Sequence, residues 1–190
     1  MGNSNLMSRE QVAKHIAKKL ISHLSAEERN NAVLSVWYIV DQQDIDEGFD
    51  LTQLPFDRAI IDYFIRNEFD EEVNYGAFFD SAIIDVLARS YLIYNNTYLE
   101  QIYQDLYDRP IYLDEDPRAY HLQCPCCGFY SLSLEPAWEI CCICLWENDG
   151  QAETKYSSVN RMTLLEYRKN FDEKCSKTTL EQKYISITSL

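Results

Sequence analysis

For about its first hundred residues the chain places apolar positions with a helical period. Val12, Ile16, Leu20 and Leu24 recur every fourth residue behind an S-x-x-Q capping box, Ser8 with Gln11, which predicts a helix near residues 9–24. Ser25 with Glu28 repeats that signal and opens a second helix carrying Ala32, Val33, Leu34, Val36, Trp37 and Ile39. The acidic run from Asp41 to Asp50, interrupted by Gly48, predicts a loop. Pro55 suits the first turn of a third helix bearing Ile60, Ile61, Phe64 and Ile65. Residues 78–94 predict the most buried helix, and Thr97 with Glu100 predicts the cap of another, carrying Leu99, Ile102, Tyr103 and Leu106. Tyr107 to Pro110 closes the helical part, and no internal repeat is visible.

Beyond Pro110 the period changes. Ile111-Tyr112-Leu113, Phe129 to Leu134 and Ala137 to Ile140 read as extended segments. Thr163 with Glu166 caps a last helix whose apolar side is Leu164, Leu165, Tyr167 and Phe171. The tail after Cys175 is polar, with Tyr184 to Ile187 alternating as a short strand would. The resulting fold class is mainly α with a small β ribbon: a helical N-terminal domain, then the ribbon and a C-terminal helix. Its domains are an acidic helical domain over 1–110, a ribbon module with its closing helix over 111–175, and a polar tail over 176–190.

Composition sharpens this. The 190 residues are 46% hydrophobic, with only 5 Gly and 5 Pro, which supports a packed core and excludes a collagen-like or disordered chain. Lys and Arg number 17 against 31 Asp and Glu, a net charge of −14. A surface of that sign repels phosphate backbones and favours a basic partner. The negative charge sits before the cysteines: residues 25–118 carry a net −15 and residues 119–190 only −2. No run of apolar residues is long enough to span a membrane, and the start lacks the apolar core of a secretory signal, so a cytoplasmic protein is expected.

Six of the 7 cysteines fall between Cys124 and Cys144. Cys124-Pro125-Cys126-Cys127-Gly128 and Cys141-Cys142-Ile143-Cys144 each hold a C-x-x-C pair. Such a pair turns two thiolates toward one point, and two pairs complete a tetrahedral metal site. Cys124, Cys127, Cys141 and Cys144 are therefore the predicted ligands of one structural Zn²⁺, with a short hairpin between the pairs. Cys126 or Cys142 could replace a neighbouring ligand, as could His121, three residues before Cys124. Paired C-x-x-C motifs outside a βαβ pattern fit a redox dithiol poorly. Trp146 to Gly150 reads as a turn, with Trp146 covering the ribbon.

The stretch from Cys124 to Gln151 resembles the bacterial cysteine-rich CPCC domain, through CPCCG, the EIC-x-x-C run from Glu139 to Cys144, and Trp146 to Asp149. Downstream, Asn160 to Leu164 and Arg168 to Phe171 are similar to that family's Asn-x-Met-x-Leu and Arg-x-Asn-Phe segments. Asn148 stands where the family usually has Asp, and Cys142 where it usually has Pro. The resemblance implies an immunity-type protein of the kind found beside bacterial polymorphic toxins.

With that implication, the acidic excess predicts binding to a cationic toxin domain, which the protein would neutralise by occluding it. The candidate contacts are Asp41, Asp44, Asp46, Glu47, Asp50, Asp70, Glu71 and Glu72, with Tyr75 as an aromatic anchor. No nucleophile, base and oxyanion donor come together in sequence, so catalysis is not expected. The alternative is a zinc-ribbon regulatory or nucleic-acid-associated module using Lys155, Arg161, Arg168 and Lys169.

Overall fold

The computed structural model describes residues 7–45, 54–70, 75–133 and 138–186, without the side chains of 42–45. It is mainly helical, with two small antiparallel pairs of strands. Its contacts fall into two compact units, residues 10–91 and residues 92–190 together with the start of the chain as far as Arg9. The division lies ahead of the boundary expected at residue 110, so the helix that follows Tyr94 belongs with the cysteine module.

In the first unit, α1 (Arg9–Leu20) buries Val12, Ala13, Ile16 and Ala17 completely. Ser25 and Glu28 form the predicted capping box, with Ser25 N–H donating to Glu28 Oε2 at 2.8 Å and Glu28 N–H to Ser25 Oγ at 3.2 Å. It starts α2 (Ala26–Ile45), which packs against α3 (Arg58–Arg66) and α4 (Asp80–Tyr91). Val33, Val36, Val40, Ile60, Ile61, Phe79 and Ile83 make the core between them. Each such side chain contributes about 2 kcal/mol when taken out of water.

Three local expectations change. Residues 41–45 continue α2 and are not loop. Helix α3 begins at Arg58 and not at Pro55, because the Asp57 carbonyl accepts from Ile60 and Ile61 and so sets the first turn. Tyr75 is 1% exposed, with its ring stacked 5.4 Å from that of Phe69, so it is a core residue and not a surface anchor.

The second unit opens with α5 (Asn96–Tyr107), capped by Asn95 and not by Thr97, since Asn95 Oδ1 takes the Tyr98 N–H at 2.9 Å. Glu100 is thereby released and accepts from Leu113 N–H at 2.7 Å. Ile111 to Leu113 joins neither sheet; the strands are β1 (Leu122–Gln123) with β2 (Tyr130–Leu132), and β3 (Tyr156–Ser157) with β4 (Met162–Thr163). The predicted capping box of Thr163 and Glu166 opens α6 (Leu164–Lys174), and α7 (Lys177–Glu181) follows. The tail is more ordered than its composition suggests. Tyr184 bridges Tyr94, Ile185 is fully buried, and Tyr130 N–H donates to the Ile185 carbonyl at 2.9 Å.

Candidate metal centre

Each cysteine pair sits at the tip of its own small hairpin. The first is flanked by β1 and β2, and the second by a bridge between Ile140 and Glu147. The single hairpin expected between the pairs is therefore replaced by two. A turn that directs two sulfurs inward needs its own flanking strands to close it.

The two tips are built alike. In the first, Cys124 N–H donates to the Phe129 carbonyl at 2.8 Å and Gly128 N–H to the Cys124 carbonyl at 3.0 Å. In the second, Cys141 N–H donates to Trp146 at 2.9 Å and Leu145 N–H to Cys141 at 2.8 Å. The fifth residue of each is left-handed, with φ 81° at Gly128 and 64° at Leu145. The sixth is an aromatic ring, Phe129 or Trp146, each 2% exposed. This is a structural repeat, six residues long, whose sequences share little beyond the cysteines.

Cys124, Cys127, Cys141 and Cys144 bring one sulfur each to within 4.8 Å of all the others, and all four are buried. Cys124 to Cys144 and Cys127 to Cys141 are both 3.7 Å. Thiolates about 2.3 Å from a tetrahedral metal stand about 3.8 Å apart, so the four predicted residues fit one such ion. All seven cysteines are free thiols. Cys126, 2% exposed, packs into the surrounding core, whereas Cys142 faces solvent; neither is in the four-sulfur set, nor is His121.

The electrostatics favour a cation there. The neighbouring thiols of Cys124, Cys127 and Cys144, with the Ser131 hydroxyl, pull the Cys141 thiol far below its ordinary range. Cys127, buried beside the thiols of Cys124, Cys141 and Cys144, is pushed far up. Four negative sulfurs so close in a buried site repel strongly; one thiolate among protonated neighbours is what the cluster tolerates without a metal. A divalent ion at the centre would replace those protons.

Groups other than the four paired cysteines hold the two tips. Ser131 Oγ lies 3.1 Å from Cys141 Sγ, and Ile143 N–H points to the same sulfur at 3.4 Å. From α6, Tyr167 OH donates to the Cys144 carbonyl at 2.9 Å, its ring edge-on to Trp146, and Arg168 donates to the Pro125 carbonyl at 2.6 Å. Asn160 pairs through its amide with both backbone groups of Glu147, at 2.9 Å each. Cysteine spacing predicts none of Ser131, Asn160, Tyr167 and Arg168: Asn160 is marked only by its segment's resemblance to the CPCC family, Arg168 by that and as a basic candidate, and Tyr167 as part of the apolar side of the last helix.

The acidic candidates fare unevenly. Asp41 lines a cavity of about 300 Å³ whose walls include Trp37, Val40, Phe64 and Glu68. Asp70 is exposed. Asp44 lies on α2 with its side chain outside the described set, and Asp46, Glu47, Asp50, Glu71 and Glu72 lie outside the described residues. Of the basic residues, Arg168 is paired with Glu153 at 2.9 Å, while Arg161 and Lys169 line an open groove together with Glu166 and Glu173.

Comparison with known proteins agrees with the site. The family described as cysteine-rich CPCC matches residues 122–185, a span containing both tips, the pairing residue Asn160 and all of α6. No curated protein and no solved structure matches the chain. Among the described residues, no helix is long and apolar enough to cross a membrane.

Proposed function

We propose that this chain is a cytoplasmic, immunity-type binding protein that occludes a cationic bacterial toxin domain, with a structural Zn²⁺ organising its C-terminal module. The observation that carries the reading is the closed sulfur set. Four cysteines fill a tetrahedral shell and leave no position for a catalytic water, so the surface and not the metal does the work. Zinc fits the site because all four donors are thiolates, which favour thiophilic ions over oxygen-loving cations.

The charge gives the sign of the partner. Residues 10–91 hold 16 Asp and Glu against 7 Lys and Arg. Asp41 and Glu68 line one cavity together with Trp37, Phe64 and Arg66, so two carboxylates stand beside apolar surface against one cation, a combination that can take a further Lys or Arg side chain. The nucleic-acid reading draws less support, since Arg168 is committed to Glu153 and to the Pro125 carbonyl.

Co-expression with the product of the adjacent gene tests the proposal. Growth should be restored when this chain accompanies a toxic neighbour. Absence of a toxic neighbour, or persistent toxicity at equal expression, overturns it.

A further inference from the structure

The second cysteine hairpin has two very different faces. Cys141, Cys144 and Trp146 are turned inward and at most 5% exposed, whereas Trp138, Ile140 and Leu145 are 63%, 56% and 68% exposed. Trp138, Ile140 and solvent-facing Cys142 follow one another at every second position along this arm of the hairpin, and all three are exposed.

Two of these three residues adopt backbone that large side chains avoid. Trp138 has φ 61° and Leu145 φ 64°. Hydrogen bonds hold both in place, from Trp138 N–H to the Asn148 carbonyl at 3.0 Å and from Leu145 N–H to the Cys141 carbonyl at 2.8 Å. Burial returns little, because most of each side chain lies in solvent. The equivalent position in the first hairpin is Gly128, so the turn itself does not require a large residue. Strain kept without a folding benefit points to a role outside the fold.

The surroundings define what could cover this face. From Trp138 to Gly150 the chain carries Glu139, Glu147 and Asp149 and no Lys or Arg. A second copy of a chain with net charge −14 would be repelled. A basic surface with an apolar depression is complementary to it in both respects.

We infer that the outer face of this hairpin, with Trp138, Ile140 and Leu145 as anchors, is the docking surface for a cationic protein partner. The anchors enter the partner's apolar depression, and the neighbouring carboxylates pair with Lys or Arg around it. A metal-bound tip presents these side chains preorganised, so little conformational freedom is lost on binding. The inference rests on the binding reading above and assigns its contact to the metal hairpin rather than to the acidic segments of the helical part.

The test is calorimetric titration of the full-length, metal-loaded chain with the adjacent toxin, wild type against the double variant Trp138→Asn, Leu145→Gly. Asn and Gly both accept left-handed backbone, so this variant should keep its metal and unfold at a Tm no lower than wild type. Binding at least tenfold weaker, with protection reduced in cells, is the expected result. Should the double variant lose metal, Ile140→Ser carries the same expectation. Wild-type binding with less than threefold weakening in a metal-loaded variant overturns the docking surface and leaves the binding function standing. Failure of the wild type to bind overturns both.

Discussion

Leu145 occupies in the second cysteine tip the place that Gly128 occupies in the first, each donating its amide to the carbonyl of the leading cysteine from left-handed backbone. Glycine adopts that conformation freely, whereas a leucine there costs roughly 1 kcal/mol. Leu145 is too exposed to lose much burial on replacement. Leu145→Gly is therefore expected to stabilise the metal-loaded protein by about 0.5–1 kcal/mol. A Cβ at Gly128 would meet only Gln123 Nε2, at 3.8 Å, so Gly128→Ala should destabilise by about 1 kcal/mol through its backbone alone. Urea unfolding of the two variants in excess metal measures both signs.

Asn160 acts as a substitute strand for Glu147. Its Oδ1 accepts the Glu147 N–H and its Nδ2 donates to the Glu147 carbonyl and, at 2.8 Å, to Ser157 Oγ. Asn160→Ala removes all three bonds and should cost about 2 kcal/mol. Asn160→Asp keeps the acceptor but sets a carboxylate oxygen against the Glu147 carbonyl, so it should be at least as damaging. If Asp proved close to wild type in denaturant unfolding, the paired geometry would not be the stabilising element.

Burial holds the His121 imidazole below its ordinary range, with Arg9 lowering it further and the Leu132 carbonyl and Glu139 opposing. The unfolded chain titrates His near pH 6.5, so just below that pH it binds a proton that the folded chain refuses. Stability from this group is complete above about pH 6.5 and falls as the pH drops from there toward the depressed folded value. His121→Gln should flatten the decline between about pH 6.5 and 5.5 relative to wild type. Parallel denaturation series at those two pH values compare the slopes, and equal slopes would remove His121 as a contributor.

The ligand set could be read from the sequence because C-x-x-C spacing fixes where sulfurs converge, whatever strands surround them. The capping boxes of Ser25–Glu28 and Thr163–Glu166 were legible for a similar reason, since both partners lie within four residues. Thr97–Glu100 has the same pattern but lost its roles to long-range competitors: Asn95 took the cap and Leu113 took the carboxylate. The twin tips were hidden because the first is flanked by strands of two and three residues and the second by a single bridge, too short for an alternation to show. Leu145 gave no turn signal, since leucine rarely takes left-handed backbone. Arg9, at the first position of α1, is fully buried, donating to the Leu92 carbonyl at 3.0 Å and standing over the Tyr120 ring. That contact joins positions more than eighty residues apart, and no local pattern encodes it.

The account depends on one metal ion holding the two cysteine tips together. Native mass spectrometry of the purified chain, paired with hydrogen exchange before and after chelation, tests this most directly. One zinc per chain is expected, and its removal should sharply raise exchange across residues 122–132 and 138–148, as for sites whose binding energy is folding energy. A chain purified without metal, or exchange there that chelation leaves unchanged, would contradict it.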